Sequence, residues 1–248
     1  MRIGIISDIH GNIDAFRAVL AEFNRRQVDK YIYLGDLIGM GLHPEECVQL
    51  VMQLKDKFLG IVHGNHENYL FYGLPLHNHS DPNREVIPQE TIDYFKWNHG
   101  LLSPESVAFL KSLPDEQTIE TDGAKIFLTH YPIAEGRKYR KFYYTPSLAE
   151  CEEIFAGFDA DVYLFGHTHC MDEQHSDKKH YINPGCTGCP SEVDAAPAGI
   201  LDINNGQINY EHINVAYDTN KVVDELRAII PQYPFAEYVI QDFYRKVL

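Results

Sequence analysis

Five short apolar runs in the first two-thirds of the chain have the composition of β-strands. They span residues 3–6, 31–34, 58–62, 126–128 and 162–165. Short apolar runs of this length, bounded by glycine or polar residues, are typical of buried strands. Their order along the chain predicts that one parallel sheet gathers all five.

Apolar residues at helical spacing follow the first of these runs, from Ile13 to Phe23, and predict a helix over residues 12–26. Asn12 or Asp14 can cap its amino end. Pro44 favours the start of a second helix, which we expect to reach residue 54. Residues 68–113 lack a strand pattern and predict helices at 68–72, 88–97 and 104–110, so we expect a helical cap insert there.

The second half of the chain has a stronger β pattern. Residues 121–124 and 204–206 carry tight-turn signals between apolar runs. We expect residues 170–175, 180–183, 199–203 and 207–214 to be antiparallel strands of a second sheet, and residues 219–229 and 235–247 to be closing helices. The predicted fold is α/β (α+β), a β-sandwich flanked by helices, in a single domain over residues 1–248 with a cap insert at about 68–113.

Metal-ligating side chains follow directly after every one of the five predicted strands. In chain order they are Asp8 and His10, Asp36, Asn65 and His66, His130, and His167 and His169. In α/β proteins, binding groups collect beyond the carboxyl ends of strands, so we expect these side chains to meet. Burying so many polar groups together is costly unless cations balance them. Carboxylate, imidazole and amide ligands suit Mn²⁺, Fe or Zn²⁺, and Asp36 has two oxygens with which to bridge two ions.

These motifs resemble those of the calcineurin-like metallophosphoesterase superfamily. The matching segments are Asp8-x-His10, Gly35-Asp36, Gly64-Asn65-His66-Glu67, His130 and Gly166-His167-x-His169. The stretches 7–12 and Asn183-Pro184-Gly185 look like the small bacterial phosphodiesterase branch, although Cys186 stands where serine is expected. The resemblance implies a four-layer sandwich of two mixed sheets flanked by helices. It also implies one metal on Asp8, His10, Asp36 and His169, and a second on Asp36, Asn65, His130 and His167.

The mechanism expected from this resemblance uses two metal ions. Ions about 3.5–4 Å apart can hold a bridging water as hydroxide, which attacks phosphorus in line. His66 is the candidate acid for the leaving group, because imidazole titrates near neutral pH. The alternative is that His66 makes a structural hydrogen bond to Asp36 or Glu67. Glu67 is expected to orient or cap the helix that follows it.

The predicted activity is hydrolysis of phosphodiester bonds in a small nucleotide-type substrate. A dinucleoside polyphosphate hydrolase and a phosphomonoesterase are alternatives on the same centre, and a non-catalytic scaffold is a remote one. The predicted substrate-binding residues are Asn12, Asn65, His66, Arg137 and Arg140. Both arginines belong to a basic run at residues 137–141 that precedes three aromatic residues. A solvated loop is the alternative interpretation of that run.

The composition of the chain indicates a globular protein and argues against nucleic-acid and membrane partners. The chain has 248 residues, of which 44% are hydrophobic, enough for one large core. A formal net charge of −15 argues against binding to duplex nucleic acid, which requires Lys and Arg to neutralise phosphates. Met1 leads directly into the first strand and no apolar stretch approaches the roughly 20 residues of a membrane helix, so we expect a cytoplasmic protein without a membrane partner. The odd number of cysteines, five, does not fit a disulfide framework. Both a monomer and a homo-oligomer are compatible with the sequence.

Overall fold

The computed structural model describes residues 1–74, 87–134, 138–190 and 194–245. In chain order the strands are β1 (Arg2–Ile6), β2 (Lys30–Tyr33), β3 (Phe58–Ile61), β4 (Glu116–Thr121), β5 (Ala124–Thr129), β6 (Ile133–Ala134), β7 (Lys138–Tyr139), β8 (Val162–Leu164), β9 (Met171–His175), β10 (His180–Pro184), β11 (Ala196–Asn204) and β12 (Gln207–Val215). The helices are α1 (Ile13–Arg25), α2 (Pro44–Gln53), α3 (Asn65–Tyr72), α4 (Gln89–Gly100), α5 (Pro104–Ser112), α6 (Leu148–Ile154), α7 (Thr219–Ile229) and α8 (Phe235–Phe243).

Two five-stranded mixed sheets form the centre of the fold, which confirms the predicted fold class. The first has the order β12-β11-β1-β2-β3, with β1, β2 and β3 parallel and β11 antiparallel to β1. The second has the order β4-β5-β8-β10-β9, with β5, β8 and β10 parallel. The short strands β6 and β7 pair separately. Tight turns join β4 to β5 and β11 to β12, as predicted.

The assignment of strands to sheets differs from the prediction in two ways. The expectation of one parallel sheet is wrong, because β1, β2 and β3 lie in the first sheet and β5 and β8 in the second. Residues 199–203 and 207–214, expected in the second sheet, belong to β11 and β12 of the first. An apolar run identifies a strand, whereas its pairing partner depends on packing between segments that are distant in sequence.

Side-chain alternation along β1 explains why the two sheets stack. Ile3 and Ile5 point into an apolar cluster shared with β5 and β8 of the other sheet. Ile6 points the opposite way and packs with Phe16 of α1. On the outer face of the second sheet, Tyr163 packs beneath α6. The resulting order is helices, sheet, sheet and helix, which is the four-layer arrangement expected.

Helices occupy the described part of the predicted insert, whose residues 75–86 lie outside the described ranges. α5 packs against α2 and α3, and α4 packs against α8. The hydroxyl of Tyr94 on α4 donates to the carbonyl oxygen of Met40 at 2.5 Å. The amide of Asn98 donates to that of Gly41 at 2.8 Å. These bonds attach the insert to the loop that follows β2, next to the predicted ligands.

Candidate metal centre

The predicted ligands lie in the loops that follow β1, β2, β3, β5 and β8. Backbone hydrogen bonds join neighbouring loops. The N–H of His10 donates to the carbonyl oxygen of Asp36 at 2.8 Å. In the other sheet, the N–H of Gly166 donates to that of His130 at 2.8 Å. The loops of each sheet therefore hold each other in register.

Left-handed backbone conformations concentrate at these loops. The non-glycine residues with positive φ include Asp8 (53°), His10 (49°), Asp36 (60°), His167 (69°) and His169 (61°). Such a conformation costs roughly 1–3 kcal/mol per residue and persists only where the surroundings impose it. The fold thus maintains strain at five of the predicted ligands, which is typical of functional sites.

A first group of side chains surrounds Oδ1 of Asp8. Nε2 of His169 lies 3.3 Å from this oxygen and Nε2 of His10 lies 3.7 Å from it. The two imidazole nitrogens are 3.0 Å apart. Oδ2 of Asp36 lies 3.9 Å from Nε2 of His10. The structure thus brings together the four residues predicted for the first metal.

A second group surrounds Oδ2 of the same Asp36. Nε2 of His130 lies 3.2 Å from this oxygen and 3.1 Å from Oδ1 of Asn65. The ligand atoms of Asp36, His130 and His167 all lie within 4.8 Å of one another. These are the residues predicted for the second metal. Asp36 belongs to both groups, which is the position required of a bridging carboxylate.

The electrostatics of the two groups favour cations. Oδ1 of Asp8 is buried and accepts no hydrogen bond, so it is available to a cation. Burial raises the pKa of Asp8, but the neighbouring His130 and His169 have the larger combined effect. The pKa of Asp8 therefore lies below its usual value. Burial likewise raises the pKa of Asp36, but His130 and His66 outweigh burial and hold this pKa well below its usual value. Burial lowers the pKa of His130, but the charges of Asp36 and Asp8 outweigh burial and raise this pKa to about 9. A metal ion would take the place of that proton.

Backbone carbonyl groups orient the imidazole rings. Nδ1 of His130 lies 2.8 Å from the carbonyl oxygen of Leu34, and Nδ1 of His10 lies 3.3 Å from that of Ile38. Donation from Nδ1 directs the lone pair of Nε2 into the site, as is usual for metal-ligating histidines. Burial lowers the pKa of His10 to about 4 and that of His167 to about 3, which favours the neutral, ligating form.

The buried carboxylate of Glu67 holds the Asp36 loop against α3. Its Oε2 accepts from the N–H of Gly64 at 2.7 Å and from that of Asp36 at 3.0 Å. Its Oε1 accepts from Leu37 at 2.8 Å and from Ile38 at 3.3 Å. The predicted capping of α3 is therefore present. The contacts with the loop after β2 were missed, since they join segments about 30 residues apart.

Two motif glycines allow close approach between the loops. A Cβ at Gly64 would overlap the carboxylate of Asp36, and a Cβ at Gly166 would overlap Ser7 and the carboxylate of Asp8. Each glycine therefore serves a ligand that comes from another loop. This steric role explains why the residue before Asn65 and the residue before His167 have no side chain.

A cavity of about 920 Å³ opens beside the second group. Asn65, His66 and His167 all line it. The backbone N–H of His66 donates to Oδ1 of Asp36 at 2.8 Å, so this residue is held beside the shared carboxylate. The ring of Tyr139 packs against His167 with the ring centroids 4.7 Å apart. The cavity thus joins the candidate metal centre to an aromatic surface.

Asn12 is used within the fold. Its Oδ1 accepts from the N–H of Ala15 at 3.0 Å and so caps α1, as predicted. Its amide donates to the carbonyl oxygen of Gly188 at 2.8 Å and to the hydroxyls of Tyr217 and Tyr244 at 3.2 and 3.0 Å. The predicted contact between Asn12 and substrate stays a prediction, and it would require some of these bonds to be replaced.

The basic run contributes Arg140 to the lining of the cavity, whereas Arg137 lies outside the described residues. The guanidinium of Arg140 donates to the carbonyl oxygens of Ile154 at 2.9 Å and Ala156 at 2.8 Å. It also stacks over the ring of Phe158. Arg140 therefore anchors the end of α6, and its predicted contact with phosphate stays a prediction.

Cys186 lies closer to the first group than its sequence context indicated. Its Sγ accepts from the N–H of Cys189 at 3.1 Å and lies 3.2 Å from the carbonyl oxygen of Asp8. The sulfur is within 4.8 Å of the ligand nitrogens of His10 and His169. The Cys186–Cys189 spacing is that of a redox motif or a zinc knuckle, but without a second cysteine pair it favours incidental thiols. It does not indicate that Cys186 lies beside His10 and His169, because these residues come from distant parts of the chain.

Known proteins resemble this chain over most of its length. Residues 1–206 match the model of the calcineurin-like phosphoesterase superfamily domain. An uncharacterised protein of Methanocaldococcus jannaschii is 29% identical over 257 residues, which cover 90% of this chain and 91% of that protein. A metallophosphoesterase structure from Sphaerobacter thermophilus is 25% identical with a TM-score of 0.70, covering 96% of this chain and 98% of that one.

A shorter match is to a protein whose name states an activity. The symmetrical bis(5′-nucleosyl)-tetraphosphatase of Buchnera aphidicola is 30% identical over 131 residues, which are 52% of this chain and 43% of that protein. Separately, none of the helices in the described ranges is long and apolar enough to cross a membrane.

Proposed function

We propose that this chain, which belongs to the calcineurin-like phosphoesterase superfamily, hydrolyses phosphodiester bonds of a nucleotide-type substrate at a two-metal centre. Members of this superfamily are metal-dependent phosphoester hydrolases. The proposal of a two-metal centre rests on the two ligand groups that meet at Oδ2 of Asp36. One shared carboxylate between two sets of imidazole, carboxylate and amide ligands fits two cations better than one.

The two groups divide the ligands between the cations. Asp8, His10, Asp36 and His169 would hold the first, and Asp36, Asn65, His130 and His167 the second. Mn²⁺ and Fe match these nitrogen and oxygen donors best, and Zn²⁺ is compatible. Cations bound there would neutralise charge that develops on the phosphoryl oxygens and would generate a nucleophile from water at neutral pH.

In this proposal, His66 protonates the departing oxygen. It lies beside Asp36, lines the cavity and stacks edge-on against His10 with the ring centroids 4.7 Å apart. Burial lowers the pKa of His66 to about 3, although the charge of Asp36 opposes this. The negative charge of a phosphate ester beside the ring would favour the protonated imidazole. The proton would then be available where the leaving group forms.

A dinucleoside polyphosphate is the second candidate substrate. The Buchnera tetraphosphatase matches about half of this chain. Lys138, Arg140 and Lys141 line the same cavity as His66 and bring positive charge towards any further phosphate groups. Arg and Lys are suited to such contacts, by forked hydrogen bonds and by point charge respectively.

Metal reconstitution tests the proposal. Metal-free protein is loaded with Mn²⁺, Fe²⁺ or Zn²⁺, and bound metal is measured together with rates on bis-nitrophenyl phosphate and nitrophenyl phosphate. We expect two ions per chain and faster hydrolysis of the diester. Asp36→Asn should lower metal content and turnover together, whereas Asp159→Asn, at a side chain that is 96% exposed, should change neither. Full activity with a single ion per chain would contradict the two-metal centre.

A further inference from the structure

Many of the side chains that line the cavity beside the candidate metal centre are aromatic, and together they are called the aromatic wall. The rings that line the cavity are Tyr69, Tyr72, Phe95, Tyr139, Phe142, Phe235 and Tyr238. At about 920 Å³, the cavity lies near the upper end of the roughly 300–1,000 Å³ typical of small-molecule sites. A single phosphate group would leave most of this volume empty. The space therefore accommodates a large organic group attached to the phosphate.

The inner part of the wall contacts His66, the candidate acid, and His167, a candidate metal ligand. Tyr69 packs edge-on against His66 with centroids 5.2 Å apart, and Phe95 packs against the same ring at 5.1 Å. On the opposite side, Phe142 lies 5.4 Å from the ring of His167. An organic group attached to a phosphate at the metal centre would therefore lie next to these inner rings.

The outer part of the wall is exposed. Tyr72, at the end of α3, is 69% exposed, and Tyr238, on α8, is 40% exposed. Single exposed aromatic residues are ordinary, but these two line one cavity from different helices. Flat rings at the mouth of a cavity provide stacking surfaces for a flat ligand.

Polar side chains also line the cavity and disfavour a purely apolar ligand. They include Asn68, Glu90, Thr91, Lys138 and Lys141. An acyl chain would leave these groups without partners. A heterocyclic base with donors and acceptors on its edge, joined to a ribose with hydroxyls, satisfies both the rings and the polar groups.

We infer that this cavity is a nucleoside site that binds one arm of the phosphodiester while its phosphate lies at the metal centre, on the cavity side of His66. The inference rests on the proposed function for the position of the phosphate. The base stacks on the rings of Tyr72 and Tyr238, and the cavity gives the enzyme its preference for nucleotide esters over small ones.

Two matched diesters test this directly with the Mn²⁺-loaded full chain. Thymidine nitrophenyl phosphate and methyl nitrophenyl phosphate release the same leaving group and differ only in the nucleoside. We expect kcat/KM to favour the thymidine ester. Removal of one stacking ring, by Tyr72→Ala or Tyr238→Ala, should reduce this preference by roughly five- to 150-fold, mainly through KM. Tyr72→Phe should retain the preference because it keeps the ring.

Tyr144→Ala is the matched control, since Tyr144 is 64% exposed but does not line the cavity. An equal loss of preference in this variant, or no preference in the unaltered protein, would overturn the nucleoside site. Hydrolysis of both diesters at equal rates would leave the proposed function standing. If neither diester reacts, the proposed function fails, and calorimetry with adenosine monophosphate and inorganic phosphate decides the site. The site is supported if adenosine monophosphate binds more tightly than inorganic phosphate and Tyr72→Ala abolishes this difference. Equal binding of the two ligands to the unaltered protein overturns the site.

Discussion

Replacement of Glu67 by glutamine measures how strongly one buried carboxylate holds the metal centre. Its two oxygens accept four backbone hydrogen bonds, from Gly64, Asp36, Leu37 and Ile38. Glutamine has the same shape but only one acceptor oxygen. Its amide group would face two backbone N–H donors that it cannot accept from.

The size of the effect follows from those two donors. A buried N–H without an acceptor costs about 1–3 kcal/mol, so the pair costs about 2–6 kcal/mol. Burial and the charge of Asp36 raise the pKa of Glu67 to about 7, so the loss of its charge relieves part of an unfavourable interaction. We therefore expect a loss of about 1–4 kcal/mol in the free energy of unfolding. This is a large share of the total of about 5–15 kcal/mol that is typical of proteins.

Urea unfolding of the metal-free protein provides the measurement, with bound metal determined in parallel. Asp36 should be positioned less firmly in Glu67→Gln, and metal affinity should fall with stability. Glu211→Gln is the control, because Glu211 pairs with Arg26 at the surface and such pairs contribute about 0–1 kcal/mol. A loss no greater than that of the control would refute the role assigned to Glu67.

Three further predictions concern the metals, the acid and the basic run. Saturating metal at 100 times its dissociation constant should stabilise the folded protein by about 2.7 kcal/mol per site and raise Tm by about 5–11 °C per site, and an unchanged Tm after chelation would contradict the metal sites. His66→Ala should slow esters with poor leaving groups far more than nitrophenyl esters, and equal losses would remove His66 from the acid role. Arg140→Ala should cost about 1–2 kcal/mol of stability through the lost bonds to Ile154 and Ala156, measured by urea unfolding. An increase in KM for a dinucleoside tetraphosphate alone, without that destabilisation, would identify Arg140 as a phosphate contact instead.

Local patterns predicted what depends on neighbouring residues. The strand before each ligand, the cap that Asn12 forms on α1 and the capping of α3 by Glu67 all involve residues within a few positions of one another. Local patterns could not predict that β11 and β12 belong to the first sheet and not to the second. Neither could the bonds from Asn12 to Tyr217 and Tyr244, which span more than 200 residues. Such contacts depend on how the whole chain packs, and a motif does not encode them.

The contacts of Asn12 also bear on how this chain could have diversified. The superfamily match ends at residue 206, and every predicted metal ligand precedes that point. Tyr217 and Tyr244 lie beyond it, yet both bond to the side chain that caps the first helix after the ligand loop. α8 also supplies Tyr238 to the cavity wall. Part of the cavity wall thus comes from beyond the residues that match the superfamily, so α8 can change and alter that wall while the metal ligands stay the same.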